Sequence, residues 1–273
     1  MKNLMLFALA LLALGCSRTP AELKVMSFNV RMAPADDGDN AWPLRRAAIP
    51  AMLQETAPDV FGVQEAHREQ LDYITENCPN YGEFGVGRDD GSDSGEHMSV
   101  FYDKNKLELI DGGTWWLSET PDVPSKGWDA KYPRTATWAL LRQRSSDRKF
   151  WFVNTHLDHR GVQARIKGLA LVMDQTAALD AEIPLIIVGD FNVEPGDSCL
   201  LDIDARMQSA RVVAPQTTDA PSFNGFGKMD GKVIDYIYFR GFAEAESFDV
   251  LAEPYLDIPY ISDHYPIVAT LKF

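Results

Sequence analysis

Six apolar runs of this 273-residue chain each carry a carboxylate, amide or imidazole at one end. They read K-V-M-S-F-N to Asn29, V-F-G-V-Q-E to Glu65 and F-W-F-V-N-T-H to His156. The others are P-L-I-I-V-G-D-F-N with Asp190 and Asn192, V-I-D-Y-I-Y-F with Asp235, and I-S-D-H-Y-P-I-V with Asp263 and His264. Core packing does not explain this pattern, because a carboxylate delivered to the end of a buried strand is costly unless it has a partner or a task. Convergence of the six ends on one site that holds a cation and moves protons explains all of them.

Around these runs the chain reads as one large single-core domain of strands alternating with helices, with no repeat and no low-complexity tract. Apolar patterning predicts strands over 23–30, 59–65, 97–103, 107–116, 136–143, 149–155, 184–190, 233–239, 244–251 and 265–272. Helical spacing predicts helices over 43–56, 66–77, 162–180 and 197–206. The 162–180 helix has an apolar stripe of Val162, Ile166, Leu169, Ala170 and Met173. Within 43–56, Pro43 suits a first turn, but Pro50 would clash with the ladder, so a helix begins near Pro50 or kinks there. Strands apolar on both faces, such as Leu185-Ile186-Ile187-Val188, imply sheets covered on both sides. Others alternate and meet through short turns, which implies antiparallel pairs. Mixed sheets covered by helices follow. Long polar loops at Pro34–Asn40, Arg88–Glu96 and Ser118–Pro133 are expected to rim a site.

The first residues are different. Lys2, an apolar run to Leu14 and then A-L-G-C at 13–16 resemble a bacterial lipobox, in which Cys16 is acylated and becomes the mature N-terminus. The expected division is a signal peptide over 1–16, a short polar tether over 17–22 and the domain over 23–273, exported and lipid-anchored at the cell envelope. A plain secretory signal or a short hydrophobic anchor is the alternative. Cys78 and Cys199, distant from each other, form no disulfide framework and no metal spacing. A net charge of −14 with scattered basic residues argues against a partner of long nucleic acid, which selects a basic stripe.

The ordered set M-S-F-N, V-Q-E, N-T-H, G-D-F-N, I-D-Y-I and S-D-H resembles the endonuclease/exonuclease/phosphatase superfamily from about residue 23 to 273. The resemblance implies a four-layer αββα sandwich, two packed mixed β-sheets flanked by helices. It implies Mg²⁺ as cofactor, with Mn²⁺ as the alternative ion, held by Glu65 with Asn29 and Asp263 completing or flanking the shell. Hard oxygen donors of this kind suit Mg²⁺, which keeps several waters. By the same resemblance Asp190 positions or deprotonates the attacking water, and Asn192 offers an amide N–H to the oxyanion. His156 contacts the scissile phosphate, and Asp235 orients His264 by fixing its tautomer. Glu96 is the candidate partner of His156. Asp158 and Arg165 are either a helix cap and a surface residue, or orienting and phosphate-holding groups.

The expected activity is hydrolysis of a phosphodiester or phosphomonoester by in-line attack of water. A small or membrane-derived phosphate ester is favoured over long nucleic acid, the membrane is met through the lipid anchor, and no protein partner is predicted. A secreted nuclease remains open within the same chemistry. A surface-binding lipoprotein without turnover remains open outside it.

Overall fold

The computed structural model describes residues 21–273; Cys16 and the lipobox-like stretch lie outside the described residues. Strands β1 (Glu22–Asn29), β2 (Val60–Gln64), β3 (Tyr81–Phe84) and β4 (Val100–Asp103) belong to one sheet with β10 (Gln216–Thr217), β12 (Glu244–Val250) and β13 (Ile267–Lys272). Its order is β10-β12-β13-β1-β2-β4-β3, with β1 and β2 parallel and β1 and β13 antiparallel. The second sheet holds β5 (Leu107–Trp116), β6 (Thr135–Gln143), β7 (Lys149–His156), β8 (Leu185–Asp190), β9 (Gln208–Ser209) and β11 (Asp235–Arg240) in the order β5-β6-β7-β8-β11-β9. Here β7 and β8 are parallel and β8 and β11 antiparallel, so both sheets are mixed as the patterning implies.

Alternation along each strand decides what meets between the sheets. Leu23, Val25, Val60, Phe150, Phe152, Ile186, Val188, Ile237, Phe239, Ile267, Ala269 and Leu271 form one buried cluster there. The opposite phase faces helices. Met26, Phe28, Phe61, Val63 and Phe101 pack with Ile49, Met52 and Leu53 of α2 (Ala48–Thr56) and Leu71 and Ile74 of α3 (Arg68–Asn77). Val153, Ile187 and Tyr236 pack with Leu169, Val172 and Met173 of α4 (Val162–Ala177) and Ile203 of α5 (Leu201–Arg206). The result is the expected four-layer sandwich.

The 43–56 stretch divides as its prolines require, into α1 (Trp42–Arg45) with Pro43 in its first turn and α2, which begins near Pro50 with that residue third. A helix's first residues lack an intrahelical acceptor, so Pro50 removes no bond there. Some local expectations are corrected. The 66–77 helix starts at Arg68, because His67 is extended (φ −90°, ψ 161°) and its N–H donates to Gln70 Oε1 at 3.1 Å as the cap. The 197–206 helix opens as a 3₁₀ turn, Ser198–Leu200, before α5. Strands β3, β9 and β10 were not predicted: β9 and β10 are two residues each, too short for a period, and are defined by their partners.

Towards one end of the sandwich the inter-sheet face becomes polar while staying buried. Gln64 Nε2 donates to Ser27 Oγ (3.1 Å) and Asn154 Oδ1 (2.6 Å), and Asn154 Nδ2 donates to the carbonyls of Val63 (2.8 Å) and Ser99 (3.0 Å). This network ties the two sheets together directly beneath Asn29, Glu65, His156 and Asp190. Gly62 makes room for it, since a Cβ there would lie 2.5 Å from Asn154 Cγ. Gly62→Ala is expected to lower unfolding free energy by about 1–3 kcal/mol, as overpacking of a dense core does, read from the denaturant midpoint. An unchanged midpoint would mean that the Asn154 layer is slack.

Candidate active site

The polar ends predicted from the chain meet at one pole. β1 and β2 bring Asn29 and Glu65; β7 and β8 bring His156 and Asp190 in register; β11 runs the other way, so its first residue, Asp235, pairs across from Asp190. All except Glu65 are buried. Glu65 has φ +61°, a left-handed backbone uncommon for any residue other than glycine. That turn breaks strand alternation, so Gln64 and Glu65 both point inward. Asn192 (φ +54°) and Arg31 (φ +54°) share the same conformation, and such strain collects at functional sites.

Asp190 is the centre. Its Oδ1 accepts from the Asn192 backbone N–H at 2.9 Å, and its Oδ2 accepts from Asn29 Nδ2 at 3.0 Å. The ring nitrogens His156 Nε2 and His264 Nε2 lie 3.4 and 3.7 Å from the same Oδ2. Burial pushes the Asp190 carboxyl up to about 7, against the opposing charge of His264. His264 Nδ1 faces Asp235 Oδ2 at 2.8 Å. Burial disfavours charge on this ring, but Asp235 and Asp190 outweigh it and raise His264 to about 10, so it is cationic at neutral pH. Ser222 Oγ accepts from the N–H groups of Ile234 and Asp235, both at 3.1 Å, and so fixes the start of β11.

His156 has the opposite character. It faces the donors Arg134 Nη1 at 3.1 Å and Asn192 Nδ2 at 2.9 Å. Burial and the Arg134 charge hold it well below the usual imidazole range, hence neutral. Two imidazoles with opposed charge states around one carboxylate can divide proton donation from polar contact.

Glu65 accepts from Asn29 Nδ2 at 3.1 Å and from the Met32 N–H at 3.3 Å. Burial opposes its ionisation, but His264, Asn29 and Arg31 outweigh it and lower its pKa. Arg31 lies 3.9 Å from Glu65 Oε2 and 3.8 Å from Asp263 Oδ2, while its fork is held by Asp37 at 3.0 Å on both nitrogens. Two carboxylates that share a distant cation are a donor set with unused capacity, which fits a hard divalent ion. Among the described residues, groups able to hold a metal are Glu65–His156–Asp190 and Asp190–Asp235–His264, each with ligand atoms within 4.8 Å. Asp263 belongs to neither group, and flanks Glu65 through Arg31.

Glu96, expected beside His156, is 3.9 Å from His156 Nδ1. Its ion partner is Arg88, with Arg134 at 3.7 Å. Asp158 accepts from Arg134 Nε (3.3 Å) and from the N–H groups of Lys131, Arg160 and Gly161, and so braces Arg134. Arg165 donates to the Asp158 carbonyl at 2.9 Å and does not line the pocket. The cap of α4 is Asp129, whose carboxylate accepts from Gln163 and Ala164 N–H.

Arg134 was missed from the sequence, although it is 5% exposed and central to one wall. Its signal was present: in Y-P-R-T-A-T-W it is a polar group opening an apolar run. β6 is antiparallel to β7, so its first end reaches the same pole as the last end of β7. Arg134, Arg31, Tyr132, His159, Phe223, Met229 and Lys232 join the predicted residues around a pocket of about 530 Å³.

A family model described as "Endonuclease/Exonuclease/phosphatase family" matches residues 26–264. The chain belongs to this family. Members are phosphoesterase and nuclease hydrolases, so the protein is an enzyme that cleaves ester bonds. Its fold is similar to an endonuclease/exonuclease/phosphatase family protein from Bacteroides vulgatus, with a TM-score of 0.88 and 32% identity over 93% of this chain and 99% of that one. A mannosyl-6-phosphatase from Bacteroides thetaiotaomicron superposes with a TM-score of 0.87 and 33% identity, covering 92% of this chain and 100% of the other. An uncharacterized protein of Acanthamoeba polyphaga mimivirus is 28% identical over 83% of this chain and 91% of its own length.

A carboxyl whose folded pKa is raised destabilises the fold once pH climbs past its unfolded value, and the full cost is present above the folded one. Asp190→Asn is therefore expected to stabilise the chelator-treated protein at pH 8, by about 1–3 kcal/mol, and to have little effect near pH 4. Thermal unfolding at the two pH values measures this. A destabilised variant at pH 8 would mean that the ionised carboxylate is a net structural asset.

Proposed function

We propose that the protein is an exported, Mg²⁺-dependent phosphoesterase that hydrolyses small, hydroxyl-rich phosphate monoesters. The observation that carries this reading is the buried Asp190 carboxylate set between a cationic His264 and a neutral His156, and tied through the Asn29 amide N–H groups to the Glu65 carboxylate. The pocket volume, about 530 Å³, suits a small ester, and full-length similarity to a mannosyl-6-phosphatase favours a monoester of a sugar-like alcohol. The net charge of −14 disfavours a long polyanion, so the nuclease reading ranks second.

Glu65, with Asn29 and the flanking Asp263, would hold the divalent ion, which supplies Lewis-acid neutralisation of phosphate charge. Asp190 orients the water and takes its proton, since both its oxygens are already fixed by Asn29 and Asn192. His264 presents Nε2–H to phosphate oxygen, and Asp235 keeps it charged. Asn192 and Arg134 face the phosphate across His156 and stabilise charge as it builds on the oxygens. Phe223, packed edge-on to His264 at 5.0 Å, limits water on that side. Export and acylation at Cys16 belong to this proposal through the A-L-G-C run alone.

Phosphate release from mannose 6-phosphate and other sugar phosphates should require Mg²⁺ or Mn²⁺ and stop with chelator. Asp190→Asn should lose about 10²–10⁴-fold in kcat, the span expected for a positioned general base. Asp235→Asn should lower kcat and shift the basic limb of the pH profile to lower pH, because His264 then loses the charge that holds its proton. Activity indifferent to chelator and to Asp190→Asn would overturn the mechanism, and preference for plasmid DNA would reinstate the nuclease.

A further inference from the structure

The N-terminal end of β1 and the pocket lie at opposite poles of the sandwich. β1, β7 and β8 all start at one pole, at Glu22, Lys149 and Leu185, and end at the site residues Asn29, His156 and Asp190. Ala21 is fixed at the starting pole, its carbonyl accepting from the Phe273 N–H at 3.1 Å. Beside it lie the β6–β7 turn and the β4–β5 turn. Gln143 Nε2 donates to the Glu22 carbonyl at 2.9 Å, Arg144 N–H donates to the Lys106 carbonyl at 2.9 Å, and Arg148 sits 5.4 Å from the Phe273 ring centre.

The two poles differ in charge. The starting pole carries Lys104, Lys106, Arg144, Arg148 and Lys149, roughly balanced by Glu22, Asp59, Asp103, Glu108, Asp147 and Glu182. Two loops at the mouth are acidic, with Asp36, Asp37 and Asp39 in one and Asp89, Asp90, Asp93 and Glu96 in the other, which outnumber the cations Arg31, Arg88, Arg134 and Lys232 there. An anionic bilayer repels the second pole more than the first.

Chain length adds a constraint that charge alone does not. Five residue steps separate Cys16 from Ala21, so the link reaches at most about 18 Å. From Ala21 to Asn29 is eight steps of strand, about 26 Å, and the mouth lies further still. A molecule held at Cys16 cannot turn its mouth to the bilayer.

We propose that the Ala21–Phe273 pole, with the Lys104–Lys106 and Arg144–Lys149 turns, is the membrane-facing surface. The pocket then opens away from the lipid and takes water-soluble phosphate esters, not headgroups of the membrane that carries it. This rests on acylation at Cys16, and it removes the membrane-derived substrates from the phosphoesterase reading.

The test uses the full-length acylated chain in vesicles of phosphatidylethanolamine and phosphatidylglycerol doped with phosphatidic acid and a nitroxide-headgroup lipid. Fluorophores are placed by Ser145→Cys at the starting pole and Asp230→Cys beside the mouth. The proposal expects quenching at Ser145→Cys and none at Asp230→Cys. It also expects equal kcat/KM on a soluble sugar phosphate for the bound protein and for Cys16→Ala, and no phosphate released from phosphatidic acid. Quenching at Asp230→Cys, or release from phosphatidic acid, would overturn it. Quenching at neither site, with sugar-phosphate activity retained, would remove the anchor and this orientation together while leaving the phosphoesterase reading intact.

Discussion

Everything at the active pole depends on keeping one carboxylate, Asp190, out of water. It is 1% exposed, and its charge is tolerated because Asn29, the Asn192 N–H and two imidazoles surround it. Each of those partners arrives on a different stretch of chain, and two of them cross from one sheet to the other. The inter-sheet packing thus sets the spacing of every contact around this carboxylate. Loosening it by a fraction of an ångström would lengthen several contacts at once.

The same burial gives the two histidines opposite states. His264 has carboxylates on both sides and keeps its proton; His156 has Arg134 and an amide and stays neutral. Two identical side chains near one carboxylate therefore offer an acid and a polar contact without any difference in their intrinsic chemistry. Arg134 takes part in this, since Asp158 and Glu96 hold its charge against the ring.

The architecture was legible in the chain because the inter-sheet core imposes a strict period of two that ends in polar residues. Val25, Ser27 and Asn29 lie on one face of β1, and Ile186, Val188 and Asp190 on one face of β8, and this can be read directly as letters. Less legible were elements whose shape depends on a partner. The edge strands β9 and β10, two residues each, have no period to detect. Arg134 is less legible because a cation beside a long polar loop has the letters of a surface residue, and only the antiparallel pairing of β6 with β7 carries it to the pole of His156.

The sequence by itself determined the family and the polar set that gathers at one pole: Asn29, Glu65, His156, Asp190, Asn192, Asp235, Asp263 and His264 occur in an order and in strand contexts that bring them together. It could do so because each residue's chemistry and its place on a strand are local properties. Only the tertiary structure decided their charge states, the company of Arg134 and Arg31, and the direction in which the pocket faces relative to Ala21. Those depend on distances between segments far apart in the chain and on what burial does to a charge, and neither is written in any one stretch of residues.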